Sequence, residues 1–347
     1  MAYHVEIINP VNDPGWDQRI LAGDKASFFH SAAWAATLSA TYRYRPCYFV
    51  LFSDDNKVRA LVPLMEVQSF ITGKRGVSLP FSDYCEPILE AEGDLAYLLD
   101  SIFEYGRKQG WKYLELRTGT SMVTDQPASD NFLGHTINLT QKEDELFASF
   151  RESTRRNIKK AETAEVVCKT STSFQAIEKF YSLNCLTRKQ HAVPPQPFSF
   201  FKNVYKHIIA RDKGFIVLAS HKNNVIAGAI YFHFGRQAMY KYGASNRDYQ
   251  KRRANYLVMW HAIRAYSQKG FETLDMGRTD PRNQGLNQFK TGWSPMAKEL
   301  IYYRYALKDA LVPRDKKTTP YLRERILPHL PIPLLRMIGA VAYRHVG

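Results

Sequence analysis

Short apolar runs separated by polar turns recur in the same order in the two halves of the chain. In the first half, RPCYFVLF and KVRALVPLMEV flank the turn SDDN, and GVSLPFSDY, LAYLLDSIFEYGRKQG and WKYLELR follow. In the second half, GFIVLAS and VIAGAIYFHF flank HKNN, and AMYKYGAS, NYLVMWHAIRAYSQKG and FETLDMG follow. Apolar runs of this length bounded by turn residues indicate strands, and the longer run in each half indicates a helix. Each half is therefore predicted to form a β-β-β-α-β unit.

The helix of each unit shows the period of an amphipathic α-helix. Apolar residues recur at i, i+3, i+4 and i+7 in both halves, at Leu95, Leu98, Leu99 and Ile102 and at Tyr256, Met259, Trp260 and Ile263. Gly110 and Gly270 stand where each helix should end, because glycine accepts the left-handed turn of a C-terminal cap. The matched order indicates an internal duplication. We predict an α/β (α+β) protein with two tandem domains, 1–140 and 141–310, whose mixed sheets are flanked by helices, and a basic tail, 311–347.

Composition supports two folded domains and an anionic partner. A chain of 347 residues is long for one core, and its 45% apolar content argues against disorder. Lys and Arg number 48 against 33 Asp and Glu, which favours nucleic acid, phosphorylated metabolites or an anionic membrane, or produces only a basic surface. Four scattered cysteines without a C-x-x-C pair, no signal-peptide pattern and no apolar run of about 20 residues predict a reduced cytoplasmic protein without a metal site.

Two basic amphipathic segments are candidates for contact with phosphates or lipids. EDELFASFRESTRRNIKKAE is predicted to form one helix with a buried stripe, and Arg155, Arg156 and Lys160 on its other side are candidate phosphate contacts. Acids in its first turn and cations in its last also suit the helix dipole, so stability alone would explain part of this order. The tail YLRERILPHLPIPLLRMIGAVAYRHVG alternates leucines with arginines. It is predicted either to lie on an anionic membrane or to dock on the core as a helix.

The polar segment 276–295, MGRTDPRNQGLNQFKTGWSP, is the first candidate for chemistry. It follows the strand FETLDM, at the strand end where open sheets bind ligands. Lys290 is predicted to stabilise an oxyanion or leaving-group charge, and Asp280 to assist proton transfer. Phe289 and Trp293 offer flat faces to a base or sugar. Arg278 and Asn283 complete the predicted substrate contacts, although a surface loop with ordinary hydrogen bonds is the alternative.

Further candidates lie at turns next to the predicted strands and helices. The turn SNRDYQKRRAN leads from AMYKYGAS into a helix N-terminus, where Arg253 and Asn255 would bind a phosphate or carboxylate or would simply cap the helix. Other candidate substrate contacts are Tyr242 in the preceding strand, Arg188 before a pair of prolines, and Asp83 and Tyr84 in FSDYCEP. His191 lacks a serine or cysteine partner at a recognisable spacing and is assigned no catalytic role.

Six of these segments together resemble a known family. FFHSAAW, LPFSDY, STRRNIKKAE, ANYLVMWHAI, LDMGRTD and FKTGW occur in the order seen in the Fem-type (FemAB) peptidoglycan-bridge aminoacyl transferases, closest to the shorter relatives of exopolysaccharide and exosortase gene contexts. The resemblance covers roughly residues 28–306. It implies two acetyltransferase-like (GNAT) domains in tandem, in agreement with the duplication. No counterpart of the long helical arm of the bridge enzymes is present.

The resemblance also implies an activity and a set of substrates. The family transfers an aminoacyl group from charged tRNA to an amine on a lipid- or nucleotide-linked cell-wall precursor, so no further cofactor is required. By analogy, Phe289 and Lys290 would handle the donor. The basic helix and later loops would meet phosphates through the arginines at 155, 156, 188 and 253. The protein would act in the cytoplasm, either free or at the inner face of the cytoplasmic membrane.

Two other functions are consistent with the sequence. One is acyl-CoA-dependent N-acyl transfer by a GNAT enzyme. GNAT enzymes hold pyrophosphate with the turn Q/R-x-x-G-x-G/A, whereas here QKRRAN keeps Gln250 but has Arg253 and Asn255 in place of the small residues. That substitution argues against coenzyme A. The other is a non-catalytic scaffold that binds nucleic acid or a membrane through its basic surface.

Overall fold

The computed structural model describes residues 3–23, 25–54, 57–91, 93–119, 127–307 and 325–347. These residues form two compact units. Among them, the first unit contains the chain up to residue 133, 298–307 and 343–347, and the second contains 134–297 and 325–342. This division differs from the predicted segments, because residues 298–307, which were predicted in the second domain, belong to the first unit. The predicted tail begins in 308–324, which lies outside the described residues.

The helices and strands of the N-terminal part follow the predicted order, but there are more of them than predicted and some are shorter. They are β1 His4–Ile8, α1 Trp16–Leu21, α2 Ala32–Tyr42, β2 Arg45–Pro46, β3 Tyr48–Phe52, β4 Val58–Val62, β5 Met65–Ser69, β6 Gly73–Val77, β7 Ile88–Leu89, α3 Gly93–Gln109, β8 Tyr113–Thr118 and β9 Ala128–Asn138. The predicted strand 57–67 is two strands, β4 and β5, which belong to different sheets. Pro63 stands between them, and proline cannot donate a backbone hydrogen bond to a strand ladder.

The C-terminal part contains the remaining elements. They are α4 Glu143–Ser149, α5 Glu152–Thr163, β10 Val167–Ser171, α6 Phe174–Gln190, α7 Phe198–His207, β11 Gly214–His221, β12 Asn224–Phe234, β13 Gln237–Ser245, α8 Ala254–Gln268, β14 Thr273–Thr279, α9 Gln284–Thr291, β15 Met296–Ala306 and α10 Ile332–Val346. The segment predicted as a long polar loop therefore contains the helix α9.

The first unit contains two sheets. One has the strand order β1-β3-β4-β7, and in the other β15, β8, β6, β5 and β2 are neighbours in that order. The ladder between β6 and β8 is parallel, with α3 as the crossover helix. Glu115 of β8 accepts hydrogen bonds from Arg117 Nε at 2.8 Å and from Arg304 Nε of β15 at 2.7 Å. Despite burial, these two cations lower the pKa of Glu115 to about 2.

The second unit is built on one sheet with helices on both faces. Strands β10 to β13 form an antiparallel series, and α8 then crosses over to β14, which runs parallel to β13. On one face, Ile158 of α5 and Trp260 of α8 are part of one core with sheet residues such as Tyr231. On the other face, α6 and α7 pack against β12 and β13, where Phe200 and Phe201 contact Tyr242. This layered α/β arrangement confirms the predicted fold class.

The predicted single helix over 143–162 is two helices, α4 and α5. The chain is extended at Phe150 and Arg151, where ψ is 148° and 144°. The Arg151 N–H donates to Gly292 O at 3.0 Å, and Ser294 Oγ donates to Ser149 O at 2.6 Å. The break therefore ties this segment to the turn after α9. Phe150 lies in the break with its ring buried.

Helix α10 docks on the second unit by one face. Leu335 is fully buried, and Gly339 approaches so closely that a Cβ at this position would lie 1.9 Å from the carbonyl oxygen of Pro195. The guanidinium of Arg336 lies 5.2 Å from the centre of the Tyr181 ring. Every helix among the described residues is too short or too polar to cross a bilayer.

Candidate active site

Strands β13 and β14 separate part-way along their length. Their parallel ladder pairs Gln237 with Thr273, Ala238 with Leu274 and Met239 with Asp275. In this described region no pairing continues beyond Met239, although β13 runs on to Ser245 and β14 to Thr279. The C-terminal halves of two neighbouring strands thus leave backbone groups available for other partners. Ligands bind at such strand ends in open α/β sheets.

A cleft of about 530 Å3 lies beside the end of β13 in the second unit. Its walls come from four sources: the last turn of α6, the end of β13, the first turn of α8 and one face of α9. The lining side chains used below are Thr187, Tyr240, Arg253, Asn255, Asn283 and Phe289. The cleft therefore lies where β13 separates from β14 and where α8 and α9 begin.

The N-terminus of α8 presents a positive end to this cleft. A 3-10 turn over Arg247–Arg252 precedes it, and Arg253 closes that turn in the left-handed region at φ 60°. Asn255 Nδ2 donates to Ser245 Oγ at 3.2 Å, which fixes the first turn of the helix to the end of β13. The free N–H groups of a helix start and the aligned peptide dipoles attract an anion. Arg253 adds a full positive charge at the same point.

Lys290 is buried on α9, with 2% of its surface exposed. Its ammonium donates to Gly277 O at 2.8 Å and to Arg278 O at 3.0 Å. Both carbonyls belong to the part of β14 that has left the ladder with β13. Gly277 is at φ 69°, and its N–H donates to a carboxylate oxygen of Asp275. The ammonium is therefore bound to the backbone of β14 beyond its ladder with β13, and Lys290 is not among the residues that line the cleft.

The other polar candidates of the segment 276–295 have local partners. Arg282 binds Asp280 with two nitrogens, at 2.9 and 2.6 Å, so this carboxylate is engaged in an ion pair at the surface. The Asn283 side chain caps α9 by accepting from Leu286 N at 3.1 Å, and it also lines the cleft. Arg278 is exposed on β14. Of these three, Asn283 is the residue that the structure places in the cleft.

The two aromatic candidates differ in accessibility. Phe289 is half-buried, lines the cleft and packs edge-on against Tyr256 with centroids 5.2 Å apart. Trp293 is fully buried, and it contacts the rings of Phe150, Tyr256 and Phe289. The indole therefore supports α9 from beneath, and Phe289 is the ring that offers a surface to a ligand.

A β-bulge decides which tyrosine of β13 lines the cleft. Ile230 pairs with Tyr242 and Tyr231 pairs with Tyr240, so Lys241 is an extra residue in the ladder. The bulge puts Tyr240 and Tyr242 on opposite faces. Tyr240 lines the cleft, and burial raises its pKa to about 12, whereas Tyr242 packs against Phe200 and Phe201. Of the two tyrosines, the structure therefore places Tyr240 in the cleft and not Tyr242, for which a substrate contact was predicted.

His135 of β9 is a buried polar neighbour of α9 that the sequence did not single out. Burial lowers its pKa most, the nearby Lys290 ammonium lowers it further, and Asn287 raises it in part. The imidazole is therefore neutral near pH 7. Thr279 is also buried, and its hydroxyl oxygen has no hydrogen-bond partner among the described residues. A single histidine within an alternating strand carries no sequence signal of such a position.

The basic candidates on α5 and α6 lie outside the cleft lining. Arg156 and Lys160 are exposed on α5, and Arg156 forms a 3.3 Å ion pair with Glu152. Arg155 is half-buried, with an Nε that has no hydrogen-bond partner among the described residues. Arg188 belongs to the last turn of α6, next to Thr187, which does line the cleft. Their predicted contacts with phosphates stay predictions.

Asp83 and Tyr84 belong to the first unit. Tyr302 of β15 donates its hydroxyl to Asp83 O, and the Lys298 ammonium lies 4.1 Å from the centre of the Tyr84 ring. Lys298 also pairs with Glu86 at 2.9 Å. The predicted substrate contacts of Asp83 and Tyr84 stay predictions.

Comparison with known families agrees with this architecture. Residues 148–291, which contain the cleft, match the model of the acetyltransferase (GNAT) domain. This segment is a GNAT domain. No curated protein matches the sequence. Residues 148–291 are thus of the acyltransferase type, and the diverging strands and the anion-attracting start of α8 lie within them.

Solved structures extend the likeness to the whole chain. FemX superposes with a TM-score of 0.66 at 14% identity, covering 87% of this chain and 97% of that one. The C-terminal domain of a putative lysylphosphatidylglycerol synthetase from Agrobacterium fabrum gives 0.57 at 13%, covering 85% and 92%. A tandem GNAT protein of the clavulanic acid pathway gives 0.55 at 10%, covering 89% and 100%. The fold is therefore two GNAT-like domains in tandem, as the duplication predicted.

Proposed function

We propose that the protein transfers an aminoacyl group, or another acyl group, to an amine on an anionic cell-envelope precursor of the peptidoglycan or polysaccharide type. The observation that carries this proposal is the opening between β13 and β14 beside the N-terminus of α8, inside a GNAT domain. Such an opening gives an acyl donor access to backbone groups of the sheet. The names of two structural neighbours, FemX and lysylphosphatidylglycerol synthetase, support the envelope as the place of action.

Aminoacyl-tRNA is the proposed donor. Its phosphates would meet the first turn of α8 and Arg253, where helix dipole and guanidinium act together. The flat ring of Phe289 on the same cleft would stack on the terminal nucleoside. Acyl-CoA is the alternative donor, because the same helix start would suit its pyrophosphate. Arg253 occupies the left-handed position before α8 with a long cationic side chain. This side chain favours the phosphates of a large polyanion such as tRNA over the close approach of a pyrophosphate to the backbone.

The proposed chemistry is attack of the acceptor amine on the ester carbonyl of the donor. The carbon–nitrogen bond forms as the carbonyl oxygen takes negative charge, and the ester oxygen then leaves with the ribose. Lys290 would stabilise that charge, since a buried cation fixed by Gly277 O and Arg278 O needs little reorganisation. The amine must lose a proton, which would pass directly to the leaving oxygen, because Asp280 is held in its surface ion pair with Arg282 and does not line the cleft. Positioning supplies much of the acceleration in this scheme.

We also propose that the C-terminal helix brings the enzyme to the inner face of the cytoplasmic membrane. Leu334, Met337 and Val341 of α10 are 41%, 67% and 63% exposed, and their spacing of three and four residues places them on one stripe. Arg336 and Arg344 are exposed on the same helix. A stripe of this composition suits an anionic bilayer. The opposite face, with Leu335 and Gly339, docks on the protein.

A donor panel tests the proposed activity. The melting temperature of the purified protein would be measured with coenzyme A, acyl-CoA, uncharged tRNA and aminoacyl-tRNA, because a ligand that binds only the folded state raises it. We expect stabilisation by aminoacyl-tRNA that weakens in Arg253→Ala and persists in Arg211→Ala, which removes an arginine outside the cleft lining. Stabilisation by coenzyme A alone would instead establish the acyl-CoA alternative.

A further inference from the structure

The turn between β5 and β6 exposes two large apolar side chains. Phe70 is 84% exposed and Ile71 is 65% exposed, and with Val346 at 66% they are the three most exposed large hydrophobic residues described in the first unit. They stand at the tip of a tight hairpin in which Ser69 pairs with Gly73. Neither side chain contributes to a buried core. Exposed apolar residues gathered at one protruding point indicate a surface that another partner covers.

Hydrogen bonds and one ring contact hold the hairpin tip in this exposed position. Ser69 Oγ accepts from Ile71 N at 3.1 Å and from Thr72 N at 2.9 Å. The same hydroxyl lies 3.0 Å from His345 Nδ1 in the last turn of α10. The Phe70 ring packs edge-on against the His345 ring, with centroids 4.5 Å apart. Because these contacts hold the backbone and one side of Phe70, the apolar outer side cannot fold back onto the protein.

Cationic side chains surround the tip. Lys74 follows it on β6, and the Lys112 side chain lies over Gly73, where a Cβ would be 2.5 Å from Lys112 Cε. Arg344 is exposed next to His345, and Val346, which is 66% exposed, adds a further apolar group at the end of α10. Apolar residues at the centre with cations around them match a bilayer with anionic headgroups. A second copy of this chain would bring the same cations against one another across a twofold axis.

We infer that the tip Phe70–Ile71 inserts into the interface of an anionic membrane, with Lys74, Lys112 and Arg344 on the headgroups. The inference deepens the membrane contact proposed for α10 by adding a second anchoring element, and it rests on that proposal.

Sedimentation with lipid vesicles tests the inference on the full-length protein. Vesicles of phosphatidylcholine alone would be compared with vesicles that contain one quarter phosphatidylglycerol. We expect binding to the anionic vesicles, a loss of at least tenfold in Phe70→Ser/Ile71→Ser, and a similar loss in Lys74→Glu/Lys112→Glu. Val167→Ser is the matched control, because Val167 is 56% exposed on the edge strand β10. Melting temperatures should not change in the tip variant.

The α10 variant Met337→Ser/Val341→Ser separates the two membrane proposals. If it loses binding while the tip variant binds as wild type, the tip inference is overturned and the α10 proposal stands. Equal binding by all variants, or no binding by the wild type, overturns both. Light scattering after gel filtration gives a further check: a change of oligomeric state in the tip variant without loss of lipid binding would show that a second copy covers the tip.

Discussion

Replacing Lys290 with methionine separates the two roles that the structure gives this residue. The substitution keeps most of the apolar stem and removes the ammonium from Gly277 O and Arg278 O. A buried acceptor left without a partner costs about 1–3 kcal/mol, and the second carbonyl is only partly buried. We therefore expect the free energy of unfolding to fall by roughly 2–4 kcal/mol. If Lys290 also stabilises the oxyanion, kcat should fall by about 100- to 1,000-fold.

The two effects need separate measurements. Urea denaturation followed by circular dichroism gives the free energy of unfolding, and the midpoint shift at constant slope identifies a change in stability. Single-turnover transfer from the donor that the melting panel identifies gives the chemical rate, measured well below the melting temperature of the variant. Lys269→Met is the matched control, because Lys269 is an exposed lysine of the same unit. It should leave both quantities within error of wild type.

One result would refute the catalytic role and another the structural one. If the variant loses stability but transfers the acyl group at the wild-type rate, Lys290 only holds β14 in its open form. If the free energy of unfolding is unchanged, the hydrogen bonds from the Lys290 ammonium to the carbonyls of Gly277 and Arg278 do not stabilise the fold. The structural role given to Lys290 is then wrong. Loss of both activity and stability, with a normal KM for the donor, supports the two roles together.

Three further predictions concern other parts of the molecule. Glu115→Gln should destabilise the protein, since a pKa of about 2 against the ordinary 4.5 corresponds to roughly 3 kcal/mol. In the wild type this contribution is present above about pH 4.5 and is lost as the pH falls towards 2, so denaturation curves of the two proteins should converge in acid. Tyr240→Ala should raise the KM for the donor, whereas Tyr242→Ala should lower stability by about 3 kcal/mol and leave KM unchanged. Gly243→Ala should impair donor binding, because its Cβ would lie 1.8 Å from the Tyr240 hydroxyl, and an unchanged KM would contradict the proposed cleft.

Local patterns predicted the tandem order of strands and helices well. The apolar periods of α3 and α8 and their glycine stops lie within single segments, and residues such as Trp260 and Ile263 are buried as the pattern required. The same segments carry the Fem-type resemblance, and that resemblance predicted the GNAT-like fold. These features depend on interactions between residues that are close in sequence.

Features set by distant contacts were not predictable from such patterns. The break between α4 and α5 follows from hydrogen bonds to Gly292 and to the Ser294 side chain. The position of Tyr240, rather than Tyr242, in the cleft lining follows from one extra residue in a ladder, which no hydrophobic pattern reveals. The burial of Lys290 required knowledge of where β14 leaves its neighbour. In each case the sequence pattern identified the segment that matters, but it did not show which distant residue that segment contacts.

The membership of β15 in the first unit has a consequence for biosynthesis. This strand pairs with β8 along Ile301–Ala306 and delivers Arg304 to Glu115. A ribosome reaches it only after the entire GNAT domain has been translated. Until then the nascent first unit has an open strand edge and a carboxylate with one of its two counter-charges missing. The first unit therefore cannot complete this pairing before the second unit has been translated, and until then its open strand edge is a site for wrong pairing.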